Sequence, residues 1–154
     1  DTNALQKYSL FGGVLPEQID RIKPLFSYAR YDAGDMPMRE GDPNDKIFFI
    51  VGGRVSVSKQ GITIAELGEG ETFGEMELID VMPSIATITA LEPLEVVTIS
   101  NRALYEISKV DIKTFSLLVM NLARDLARRL RRMDEKACED VQLSRCEEKL
   151  AAAV

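Results

Sequence analysis

The chain has 154 residues, 45% of them hydrophobic, with a formal net charge of −6 at pH 7 and no histidine. That length can bury one proper core, and apolar runs such as Ile47–Val51 are far too short to cross a bilayer. Without histidine there is no His-ligated haem, no common zinc site and no His-based triad. The two cysteines, Cys138 and Cys146, are too few for an iron–sulfur cluster or a disulfide framework.

No charged-then-apolar leader follows Asp1, and the reading is a soluble, cytoplasmic protein. Charge is uneven along it. Residues 1–110 carry 10 Lys/Arg against 17 Asp/Glu, and residues 111–154 carry 9 against 8. The acidic front part argues against a nucleic-acid surface there, because phosphate neutralisation needs clustered cations.

Residues 3–26 read as short helical pieces broken at Gly12-Gly13. Pro16 suits a helix start, and Ile19, Ile22, Leu25 and Phe26 give an amphipathic turn or two. From residue 27 glycines punctuate short stretches rich in β-branched and aromatic residues. Ile47–Val51 is a continuous apolar run that fits a strand buried on both faces. Val55/Val57 and Ile62/Ile64 alternate with polar residues, as half-buried strands do. Strand patterning resumes over Ala86–Ala90 and Leu94–Ile99, and Ser100 can cap a short helix over Asn101–Ser108.

From Asp111 to Ala137 there is no Gly or Pro, and Leu122, Leu126, Leu130, Met133, Ala137 and Val141 recur three or four residues apart. Such a stripe predicts a long helix with a coiled-coil-like seam. The predicted fold is mainly β with flanking helices: an antiparallel β-roll of the jelly-roll kind over residues 1–110, then a dimerisation helix over 111–154.

Phe73–Thr87, FGEMELIDVMPSIAT, carries the chemistry. Gly74-Glu75 opens a helical turn, whose unpaired N–H groups make a ready phosphate site. Yet no Lys or Arg lies in the run, whereas Glu75, Glu77 and Asp80 do.

Three segments in this order resemble the cyclic nucleotide-binding domain, in particular the sensor half of the catabolite activator protein family. They are Arg30–Ser58, the Phe73–Thr87 run and LARRLRRMDEK at Leu126–Lys136. The resemblance implies a non-enzymatic regulatory domain that takes a cyclic nucleotide or another small-molecule effector and dimerises through its long helix. It assigns ligand contacts to Gly74, Glu75 (the ribose hydroxyl), the N–H groups near Met76 and Glu77, and positions Ser84, Ile85, Met133 and Asp134.

Ser84 stands where the family has the arginine that pairs with the phosphate. Glu77 stands where a small residue is usual, and Met133 and Asp134 replace two hydroxyls offered to the base. Truncating one partner of a buried charge pair costs roughly 2–5 kcal/mol. Loss of the arginine therefore predicts cyclic AMP or GMP binding weakened roughly thirty- to several-thousand-fold.

Plainer readings stand beside these. Gly74 and Glu75 can serve only a tight turn and its neighbouring loop, and Ser84 can be a turn residue after Pro83. The pocket can hold a less anionic effector or be filled by side chains. Arg39 or Arg54 can substitute for the missing cation. Arg124, Arg128, Arg129, Arg131 and Arg132 lack a following helix-turn-helix, and the reading is a solvated flank of the dimer helix paired with Glu135 and acids of a second copy. Cys138 and Cys146, about 12 Å apart within one helix, cannot bridge each other. No nucleophile–base pair suggests an enzyme. The expected partners are a second copy, through Leu122, Leu126, Leu130, Met133 and Ala137, and a downstream protein.

Overall fold

The computed structural model describes residues 2–152. Short helical pieces come first: α1 (Thr2–Gln6), a 3-10 turn at Ser9–Phe11, α2 (Pro16–Ile22) with proline in its first turn, and a second 3-10 turn at Lys23–Leu25. The strands are β1 (Ser27–Tyr31), β2 (Lys46–Gly52), β3 (Val55–Lys59), β4 (Ile62–Leu67), β5 (Thr72–Phe73), β6 (Thr87–Ala90) and β7 (Leu94–Ser100). Helix α3 (Glu75–Asp80) interrupts the roll, and α4 (Asn101–Val110) and α5 (Ile112–Ala152) close the chain.

The strands form two antiparallel sheets, in the orders β1-β7-β2-β5 and β4-β3-β6. Side chains alternate across a strand, and β2 uses both faces. Phe48 and Ile50 point between the sheets, with Val55, Leu67, Phe73, Ile88 and Val96. Ile47 and Phe49 point the other way, into a second core with Phe11, Ile19, Ile22, Ile107 and Leu118 from the helices. Strand β7 divides in the same manner, Leu94 and Val96 against Val97 and Ile99. A run that is apolar at every position is thus a strand serving two cores.

One strand departs from the expected pattern. Ile62 and Ile64 are 67% and 53% exposed, because β4 is an edge strand with no second layer over that face.

Helix α4 begins where Ser100 Oγ accepts the Ala103 N–H at 3.1 Å. Asp111 then separates the two last helices. Its Oδ1 accepts the Thr114 N–H at 3.1 Å, a bond that holds its carboxyl below the ordinary range. Helix α5 has 41 residues and spans about 60 Å. Its first turns belong to the body: Leu118 and Leu122 are buried, and Asn121 Nδ2 donates to the carbonyls of Leu10 and Gly12, both at 2.9 Å. From Leu130 to Ala152 every residue is exposed. Leu122, expected on the dimer seam, is therefore a core residue of its own chain, because the apolar stripe faces the body before it runs on into solvent. No helix among the described residues is long and apolar enough to cross a membrane.

Candidate ligand site at the Gly74–Thr87 cassette

Gly74 joins β5 to α3, and both space and backbone demand glycine there. Its φ is +81°, and a Cβ would lie 2.7 Å from the Lys46 carbonyl oxygen and 2.8 Å from Asn44 Nδ2. Asn44 Nδ2 donates to the Lys46 carbonyl at 2.7 Å and to that of Gly74 at 3.1 Å, which ties the loop before β2 to the start of α3. At the other end Val81 adopts a φ of +57° and closes the short helix.

Glu75 and Glu77, two residues apart on α3 and so about 200° apart around it, are both buried and reach different surroundings. Glu75 is 2% exposed. Arg129 of α5 donates from Nη1 to Glu75 Oε1 at 2.6 Å, and from Nη2 to Thr72 Oγ1 at 3.2 Å and to the Thr72 carbonyl. Glu75 Oε2 is buried without a hydrogen-bond partner. Burial pushes the Glu75 carboxyl above the usual carboxylate range. The Arg129 guanidinium pulls it back, and the Glu77 charge adds to the rise.

Glu77 is 4% exposed, and its Oε1 accepts the Ile85 N–H at 3.2 Å. Ser84 is buried and its Oγ has no partner. The Ser84 backbone is stitched to the loop before β2: Gly41 N–H donates to the Ser84 carbonyl at 2.8 Å, and Ser84 N–H to the Asp42 carbonyl at 2.9 Å. A cavity of about 250 Å³ lies between these loops, lined by Gly41, Pro43, Asn44, Glu77, Val81, Met82 and Pro83. On the opposite side of α3 a more apolar hollow of about 680 Å³ runs between α3, α4 and α5, with Leu78, Leu104, Phe115, Val119 and Leu126 in its walls.

The structure brings Glu77, Ser84 and Ile85 together, whereas Glu75, next to Gly74, turns to Arg129 on the other side of α3. Met76, also on α3, is largely exposed. Met133 is 66% exposed and Asp134 beside it is exposed too, on α5 about one turn after Arg129. Neither named substitute cation pairs with a cassette carboxylate: Arg54 meets Glu66 and Glu92 at 3.6 and 3.4 Å, and Arg39 lines, with Met36 and Asp42, an adjoining hollow that shares Pro43 and Asn44 with the cavity beside Glu77.

The residue that sequence reasoning missed is Arg129. Expected on a solvated flank, it is half-buried against Glu75 and Thr72. The signal was present, since Arg129 continues the stripe Leu118, Leu122 and Leu126 at helical spacing. Its neighbours are engaged more locally, Arg124 with Asn121 Oδ1 at 3.0 Å and Arg128 with Asp125 at 2.7 Å.

With the roll, the cassette and the long helix in view, comparison with known proteins gives the class. The family profile described as "Cyclic nucleotide-binding domain" matches residues 28–111, and the chain belongs to that family. The cyclic AMP receptor protein of Thermus thermophilus is 32% identical over 130 residues, which is 81% of this chain and 58% of that protein. Glutaminase 2 of Bradyrhizobium diazoefficiens is 30% identical over 127 residues, 82% of this chain and 20% of that protein. A solved cyclic nucleotide-binding domain from Methylobacillus flagellatus superposes with a TM-score of 0.80 at 28% identity, covering 88% of this chain and 79% of that one. The chain thus spans a little over half of the first relative and a fifth of the second.

Proposed function

We propose that the chain is a non-enzymatic regulatory module in which a small effector, bound near Gly74–Thr87, biases the position of α5 and of a homodimer formed through it. The observation that carries this reading is the Arg129–Glu75 bridge, at 2.6 Å, which connects the cassette directly to the long helix. A ligand that binds differently when the bridge is made and when it is broken would shift the helix by that difference in free energy.

High-affinity binding of cyclic AMP or GMP is weakened in this reading. Ser84 brings no positive charge, and the Ile85 N–H already serves the chain's own Glu77 carboxylate. The exposed apolar side chains Leu130 and Met133, continued by Ala137, supply the seam for a second copy, with Leu126 at its edge. Cys138 and Cys146 are exposed and free and take no part in the proposal.

The test is the double variant Glu77→Ala/Ser84→Arg, titrated with cyclic AMP and cyclic GMP by calorimetry. Gain of saturable heat is the expected result, and no heat would remove the pocket assignment. A second reading makes the chain the sensing part of a longer regulator that still binds cyclic nucleotide. The 58% span of the Thermus protein favours it, and cyclic AMP binding by the unaltered chain would decide for it. A ligand-free docking scaffold is the remaining outcome, signalled by silence of both proteins across a panel of nucleotides and metabolites.

A further inference from the structure

The cavity beside Glu77 has a charge of the wrong sign for a phosphate. Glu77 is the one ionisable side chain in its lining, and Pro43, Asn44, Val81, Met82 and Pro83 complete most of the wall. We propose that this cavity binds a small organic cation, its ammonium group against the Glu77 carboxylate and its carbon skeleton against Val81, Met82 and the two prolines. The proposal rests on the reading of the cassette as an effector site and names the chemistry of the effector.

Three observations converge on it. First, among the described residues the Glu77 carboxylate receives one hydrogen bond, from Ile85 N–H to Oε1 at 3.2 Å, and forms no ion pair, although it is only 4% exposed. A buried carboxylate without a cation is costly. An incoming ammonium removes that cost and adds a charge-assisted hydrogen bond.

Second, the walls are tied to one another by hydrogen bonds. The Ser84 bonds to Gly41 and Asp42, at 2.8 and 2.9 Å, and the Asn44 bond to the Gly74 carbonyl, at 3.1 Å, hold the two loops together. A preorganised site loses less entropy on binding.

Third, size and donor set narrow the ligand. About 250 Å³ falls just below the volume of sites for drug-sized molecules, roughly 300–1,000 Å³, so an amine of a few carbon atoms fits. A calcium or magnesium ion needs about six or more oxygen ligands. The cavity lining offers one carboxylate and an Asn44 side chain already engaged with the Lys46 and Gly74 carbonyls.

The test is calorimetric titration of the full chain, near neutral pH and at constant ionic strength, with cyclohexylamine hydrochloride, cyclohexanol, sodium cyclohexanecarboxylate, magnesium chloride and calcium chloride. The expected result is saturable, one-to-one heat from the ammonium alone, weakened by about ten- to a hundredfold in Glu77→Gln. That variant keeps the side-chain volume and an acceptor for Ile85. Met82→Trp, a bulkier side chain at a position that lines the cavity, should weaken the heat and keeps the test open where Glu77→Gln fails to fold.

No saturable heat from cyclohexylamine, equal heat from cyclohexanol, uptake of a metal ion alone, or undiminished binding by either folded variant would overturn the proposal. If the ammonium fails while the double variant of the preceding section gains cyclic AMP, only the cation falls and the cassette reading stands. If both fail, both fall.

Discussion

Glu75 Oε1 and Arg129 Nη1 lie 2.6 Å apart, joining the first residue of α3 to the last point at which the body holds α5. Beyond Arg129 the helix has no half-buried or buried position. The carboxylate at 2% exposure depends on this one cation, whereas the guanidinium also holds Thr72. The asymmetry makes the pair a sensitive joint between the cassette and the helix.

Removing Arg129, as Arg129→Met, leaves a buried carboxylate without its partner. The cost in urea unfolding should be about 3 kcal/mol near pH 8. Near pH 5 it should be clearly smaller, because a carboxyl already raised by burial takes up a proton once the guanidinium has gone. Equal costs at the two pH values would contradict this.

Glu75 also sets the sign of a pH dependence. With its folded pKa raised above the ordinary value of 4.5, the folded chain holds the proton more tightly than the unfolded one. Its stabilising contribution is full below that value and is lost as pH rises through the raised pKa. Glu75→Gln does not titrate. The stability of the wild type relative to this variant should therefore fall as pH rises from about 4.5, and a rise would contradict the assignment.

Gly74 and Gly61 give a matched pair. Both have positive φ, +81° and +78°, but a Cβ at 61 meets nothing within 4 Å while one at 74 runs into Asn44 and the Lys46 carbonyl. Gly61→Ala should cost about 1 kcal/mol for the backbone alone. Gly74→Ala should cost at least about twice that, since loops must also shift. Similar midpoints for the two variants in denaturant would show that the close approach does not matter.

Along α5 two kinds of leucine should separate. Leu122→Ala opens a cavity in the helical core and should cost about 2–5 kcal/mol of unfolding free energy. Leu130→Glu and Met133→Glu, at exposed positions, should change the melt of a monomer little. In the dimer proposal they should lower the sedimenting mass. A mass unchanged from wild type would remove these residues from any seam.

The roll was legible because its strands carry local signals. Gly-bounded β-branched stretches marked β2, β3, β6 and β7, and Ser100 announced the start of α4. The two-sided burial of Ile47–Ile50 could be read because a strand facing two cores is apolar at successive positions. What escaped depends on partners far away in sequence. Nothing local to ITIAEL distinguishes an edge strand from a covered one, and Ile62 and Ile64 proved exposed. One helical stripe does two jobs in turn, so Leu122 was read into the seam. Arg129 looked like its arginine neighbours because its acid lies 54 residues away. At the cassette the residue types were read directly, but the opposite directions of Glu75 and Glu77 came only with the helix that carries them.

Calorimetric titration of the unaltered protein with cyclic AMP addresses the central claim most directly. A cassette with Ser84 in place of a cation and a buried carboxylate on its Ile85 N–H should bind with a dissociation constant of about 1 mM or weaker. Stoichiometric uptake at micromolar concentration would contradict the account.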